Sequence, residues 1–205
     1  MAQVEVDVSL LLAAVARVQQ EFLDQHGYEL SLEVAVASAV AGVLVTHPEL
    51  AGATFDLEQL ANAGREHRGV DVGFVVSGGD GITTAVVPDA QYLTVAGLAR
   101  RARAAIARVE HDESATSTMS MPTVIVSTDR AAPASGLTRG AGIGLLTVSS
   151  PIERQVATLD HLGNEVVRSD HHATLRLHHH DQTPPQSAAA LLDALGEKLA
   201  SGQLP

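Results

Sequence analysis

No cysteine occurs in the chain, and that single absence excludes disulfides, thiolate zinc sites and cysteine nucleophiles. Aromatic residues are scarce at 2%, so the core has to be built from Val, Leu, Ile and Ala. The same scarcity argues against a surface that stacks nucleobases. Lysine occurs only as Lys198, and the formal net charge is −11. A protein that tracks phosphates shows the opposite balance, so no nucleic-acid partner is expected. Long uncharged runs are lacking too. LSLEVAVASAVAGVLVTH is the most apolar stretch, but Glu33 interrupts it, and burial at helical period explains it without a membrane span. MAQVEVDVSLLLAAVARVQQ has no basic region ahead of its apolar run and does not read as a signal peptide. A cytoplasmic protein with no membrane partner is expected.

What is present suits one sizeable domain, 1–205, with 45% hydrophobic and 18% charged residues. AQVEVDVS alternates like a strand and runs into a helix for which Ser9 is placed to cap and Gly27 to stop. Ser31 opens a second helix, apolar nearly all round, with Pro48 just past its end. Residues 52–69 carry no clear period. GVDVGFVVS and GITTAVVPD read as a hairpin about GGDG, and TVAGLARRARAAIARVEHD as an amphipathic helix. MPTVIVSTD and GIGLLTVSS read as strands, RQVATLDHLGNEVVR as a strand pair about Leu162-Gly163-Asn164, and HATLRLHHH as a further alternating segment. PPQSAAALLDALGEKLAS closes the chain as a helix with proline in its first turn. Strands interleaved with helices predict an α/β fold, a mixed β-sheet covered by helices.

The chemistry concentrates in LRLHHHDQTPP. On a strand His178 and His180 share one face and His179 takes the other. A zinc site would need His178, His180 and a third ligand from His171, His172 or Asp181, without a recognised ligand spacing. A solvated strand end suits His178 and His180 better, and no bound metal or cofactor is expected. Ser127 alone reads as a strand-end serine bonding its own backbone, and Thr183 as an N-cap for the last helix. SGGDG lacks a Walker lysine and the glycine spacing of a dinucleotide loop, so a turn is expected there. Arg100, Arg101, Arg103 and Arg108 read as the solvated face of their helix.

Four phrases, in order along nearly the whole chain, resemble the catalytic domain of 2-oxo acid dehydrogenase acyltransferases, relatives of chloramphenicol acetyltransferase. They are VDVSLL with its helix, LSLEVAVASAVAGVLVTHPEL, VDVGFVVSGGDGITTAVVPDAQYLTVAGLARRARAAIAR, and TVIVST followed by LRLHHHDQTPPQSAAALLDAL. The resemblance implies a coenzyme A-dependent acyltransferase-like two-layer sandwich and places the family's catalytic histidine on His179 and its oxyanion-stabilising serine on Ser127. His178 and His180 then stand where the family has Asp and Arg. Thr128 is a substitute donor one register away. Thr183 and Pro184 replace the family's Asp-Gly or Asn-Gly pair, and Asp181 is acidic but displaced by two positions. The Asn-Leu-Gly after the serine reads Thr128-Asp129-Arg130.

The family's basic N-terminal arm and its lipoyl and subunit-binding modules have no counterpart here, which implies a stand-alone member. Its function, so implied, is to move an acyl group from acyl-CoA or an acyl carrier to a small acceptor. A homotrimer is implied, with Ser127 of one copy meeting His179 of the next. The alternative is a catalytically degenerate homologue acting as an assembly or binding subunit.

Overall fold

A computed structural model describes residues 1–47, 50, 69–78, 81–111, 122–128, 142–179 and 183–203. Strand β1 (Ala2–Asp7) leads into α1 (Ser9–His26) and α2 (Leu32–Thr46). The hairpin strands β2 (Val72–Gly78) and β3 (Gly81–Val87) precede a 3-10 turn (Ala90–Tyr92) and α3 (Val95–His111). Then come β4 (Val124–Thr128), β5 (Gly144–Val148), β6 (Ile152–Leu159), β7 (Glu165–His179) and α4 (Pro185–Ala200).

Helix ends follow local chemistry, though not always with the expected residue. Ser31 caps α2, its Oγ accepting the Val34 N–H at 3.2 Å. Gly27 ends α1 in the left-handed region at φ 74°, and its N–H donates to the Leu23 carbonyl. Ser9 does not cap α1. The N-cap position is Val8, the Asp7 carboxylate accepts the Ser9 N–H at 2.8 Å, and the Ser9 hydroxyl accepts the His171 N–H at 2.7 Å. The serine therefore ties the helix start to β7. Nor does Thr183 cap α4: that position belongs to Pro184, with Pro185 beginning the helix.

Each helix buries the stripe its spacing predicts. In α3 that stripe is Leu98, Ala99, Ala102 and Ala105, while Arg100, Arg101, Arg103 and Arg108 stay exposed. Helix α4 buries Ala188, Leu191, Leu192, Leu195 and Leu199. Helix α2 buries residues on every side, as a helix in the middle of a layer must. Each fully buried leucine contributes roughly 2 kcal/mol relative to exposure.

The sheet runs β1-β7-β5-β4-β2-β3, with β6 pairing β7. Pairs β2–β4 and β4–β5 are parallel; the others are antiparallel, so the sheet is mixed as expected. Alternation sorts its two faces. Val124, Val126, Leu146, Leu175 and Leu177 belong to the main core under the helices, whereas Ile125, Leu145 and Val75 form a separate cluster on the opposite face. Strand β7 is longer than its two alternating segments suggest. It is one continuous 15-residue strand, whose first half pairs with β6 as a ribbon past the end of β1. Asp160 holds the tip of that ribbon, its carboxylate accepting the N–H groups of Leu162 and Asn164. Gly79 and Asp80 of the GGDG turn lie outside the described residues, as do Pro48 and the 52–69 segment apart from Gly69. Among the described residues no helix is long and apolar enough to cross a membrane.

Candidate active site

Two strand ends carry the candidate groups. Ser127 is the fourth residue of β4 and pairs with Thr147 of β5, which pairs in turn with Arg176 of β7. Adjacent strand partners share a face, so Ser127, Thr147 and Arg176 form a row on the face away from the main core. Ser127 is only 3% exposed, and its hydroxyl donates to the carbonyl of Thr128 at 3.2 Å. That local bond is the strand-end behaviour expected of a serine.

His179 ends β7 on the other face. Side chains alternate along the strand, and Leu175 and Leu177, which share its parity, belong to the main core. Its backbone pairs with Gly144, which pairs with Val124. The ring is partly exposed, and its Nε2 lies 3.1 Å from the Met1 nitrogen. Glycine at position 144 is what lets β5 come so close. Its φ is 141°, and a Cβ there would collide with the His178 carbonyl oxygen and come within 2.8 Å of His179 Cα. The backbone that carries the histidine is thus fixed by a position only glycine fills.

The remaining candidates divide. Thr183 is 1% exposed, and its hydroxyl donates to the Ile143 carbonyl at 3.4 Å. This sets it one residue from the Gly144–His179 pair, so the structure brings Thr183 to the histidine end of the sheet. Thr128 sits at the far end of β4, paired with Val148, and its side chain takes the face opposite to Ser127. His178 is exposed on the Ser127 face, level with Leu145. His180 and Asp181 lie outside the described residues. Among the described residues no group of three His, Asp or Glu is placed to hold a metal ion. Sequence reasoning passed over Thr147, Arg176 and Gly144. The alternation of GLLTV and LRLHH carried part of the signal, but only strand pairing says which polar residues become neighbours.

This sheet order and helix layer define an acyltransferase catalytic-core fold. The chain belongs to the family described as 2-oxoacid dehydrogenases acyltransferase (catalytic domain), whose model matches residues 1–128. Ser127 falls at the end of that match and His179 lies beyond it. Among solved structures, the probable dihydrolipoamide acetyltransferase of Listeria monocytogenes 4b F2365 is similar at 21% identity and a TM-score of 0.74, covering 98% of this chain and 84% of that one. The cubic core of a pyruvate dehydrogenase multienzyme complex aligns at 19% identity and a TM-score of 0.75, over 97% of this chain and 80% of that one. The dihydrolipoamide acetyltransferase of Azotobacter vinelandii gives 19% identity, a TM-score of 0.76 and the same coverage of 97% and 80%. That last structure was determined to investigate the role of a serine, a histidine and an asparagine in the catalytic mechanism. No curated protein matches the chain.

Proposed function

We propose that the chain is an acyltransferase whose active site forms between copies, with His179 as general base and Ser127 as oxyanion donor. Spacing carries this reading. In the Azotobacter vinelandii enzyme the investigated serine and histidine stand 52 positions apart, and the asparagine follows the histidine by four. From position 127 to position 179 is also 52, and Thr183 is four beyond His179. The fold supports the between-copies geometry, because Ser127 and His179 of one chain occupy opposite faces.

In the proposed reaction the imidazole of His179 takes a proton from the acceptor's nucleophilic O–H, N–H or S–H as it attacks the acyl-CoA thioester carbonyl. The Ser127 hydroxyl turns from the Thr128 carbonyl to donate to the developing oxyanion, a contribution of about 3 kcal/mol in comparable sites. Collapse of the tetrahedral intermediate breaks the carbon–sulfur bond, and the imidazolium returns its proton to the departing coenzyme A thiolate. An acyl carrier protein supplies the same thioester chemistry. The assembly read from the family resemblance is a homotrimer.

A second reading, a degenerate homologue serving as an assembly or binding subunit, is favoured by Thr183. That residue stands where the spacing puts the asparagine, and its hydroxyl is spent on the Ile143 carbonyl. Thiol release from a series of acyl-CoAs, with candidate acceptors and His179→Ala as control, separates the two. Release above the control supports catalysis, and none across the series leaves the scaffold reading.

A further inference from the structure

On the helix side of β2 the start of α2 and the middle of α3 leave a cavity of about 170 Å³. It is separate from the candidate catalytic groups. Phe74 of β2 forms part of its wall, and β4 and β5 lie between β2 and β7, a lateral distance of roughly 14 Å to the His179 strand.

Two polar groups in its wall have no protein partner among the described residues. The Glu33 carboxyl makes no hydrogen bond or ion pair among the described residues. The Tyr28 hydroxyl is buried and without a hydrogen-bond partner among the described residues. The buried hydroxyl is costly to leave that way, roughly 1–3 kcal/mol, and the largely buried Glu33 carboxylate is partly stripped of water. The nearby cation does not relieve them. Arg103 stacks over the Tyr28 ring, its guanidinium carbon 4.4 Å from the centroid. Glu29 adds a second carboxylate at the rim, while Val34, Ala99, Ala102 and Ile106 make most of the remaining wall apolar, with Ser31 beside them.

We propose that this cavity binds a small aliphatic ammonium ion, its charge on the Glu33 carboxylate and its hydrocarbon against Phe74, Val34 and Ile106. The ammonium supplies donors to an acceptor that has none from the described residues, and the cavity has room for about five or six waters' worth of ligand. A short unbranched chain fits this shape; an anion meets two carboxylates. The groups facing Glu33 across the cavity are Tyr28 and Glu29 ahead of α2 and Arg103 on α3. Arg103 keeps its charge while stacked on the ring, and the two carboxylates of Glu33 and Glu29 outnumber it, so the site carries net negative charge once both are ionised. The site does not depend on the acyl-transfer reading.

The test is a titration of the full-length protein with n-butylammonium chloride, followed by methyl NMR, with sodium chloride as the ionic-strength control. At about pH 8.5, where Glu33 is ionised, saturable shifts should concentrate at Val34, Ala99, Ala102 and Ile106. Glu33→Gln should weaken the affinity roughly ten-fold or more, and lowering the pH to about 5.5 should do the same. Tyr28→Phe, which keeps the ring under Arg103, should weaken it less. Absence of saturable shifts, shifts centred elsewhere, or unchanged affinity in Glu33→Gln would overturn the proposal. Since glutamine removes only a charge, a folded variant is expected, and its methyl spectrum reports that directly.

Discussion

Ser127 and His179 lie on opposite faces of the sheet, with β5 between their strands and three register steps between their rows. Two ladder steps separate them by roughly 10 Å across the sheet and the strand offset by about 10 Å along it, so their backbones stand roughly 14 Å apart. No side-chain rotation brings a serine hydroxyl to an imidazole across that distance and through a packed sheet. A single copy therefore holds both groups and cannot make them meet. The proposed chemistry is tied to assembly for this reason.

Ser127→Ala should lower kcat by about a hundred-fold with little change in KM, because an oxyanion donor acts mainly in the transition state. Since among the described residues the hydroxyl bonds only its own strand's carbonyl, thermal stability should stay close to that of the parent. Steady-state kinetics beside a melting curve checks both parts. A large loss of stability would assign the serine to structure instead.

Gly144→Ala should damage the histidine end of the sheet without touching a reacting group. The added carbon meets backbone atoms of His178 and His179, and the positive φ disfavours any side chain. A loss of at least about 2 kcal/mol is expected, with amide exchange accelerated first at the β5–β7 pairing. Full stability in the alanine variant would show that β5 retreats freely and does not fix His179.

Glu33 makes stability depend on pH. Burial pushes its carboxyl from 4.5 up to about 7, so the folded state holds the proton more tightly than the unfolded state. Both states are protonated well below pH 4.5, and the favourable contribution is then complete. As pH rises from about 4.5 to about 7 the unfolded chain loses its proton first, and the folded state loses stability, on the order of 3 kcal/mol in all. Above that range the loss is constant. Glu33→Gln should therefore raise the melting temperature relative to the parent more at pH 8 than at pH 5, with the two scanned side by side. An equal difference at both values would mean that water reaches the carboxyl freely.

The sequence patterns anticipated most elements because period and punctuation agree in them. Ser31 and Gly27 mark helix ends in the expected way, and the alternation of Leu175 and Leu177 foretold the buried face of β7. Capping was legible only where no better partner competed. Ser9 and Thr183 have capping chemistry, yet their hydroxyls serve the His171 N–H and the Ile143 carbonyl, long-range partners that no local window contains. The site was half legible. Resemblance selected Ser127 and His179, and alternation assigned His179 to a different face from its neighbours. The row of Ser127, Thr147 and Arg176 arises from strand order, which joins β4, β5 and β7 across long gaps in sequence. The glycine requirement at position 144 was hidden for the same reason.

Complementation between two inactive variants tests the shared site most directly. Chains carrying Ser127→Ala keep His179, and chains carrying His179→Ala keep Ser127. Co-expressed in equal amounts and assembled at random, they should regenerate about a quarter of the native sites, since each site draws one group from each neighbour. Acyl-CoA thiol release by the mixed oligomer should then reach about a quarter of the parent rate, while each variant alone stays near background. Mixed assemblies no more active than the separate variants, beside an active parent, would contradict a site built from two copies.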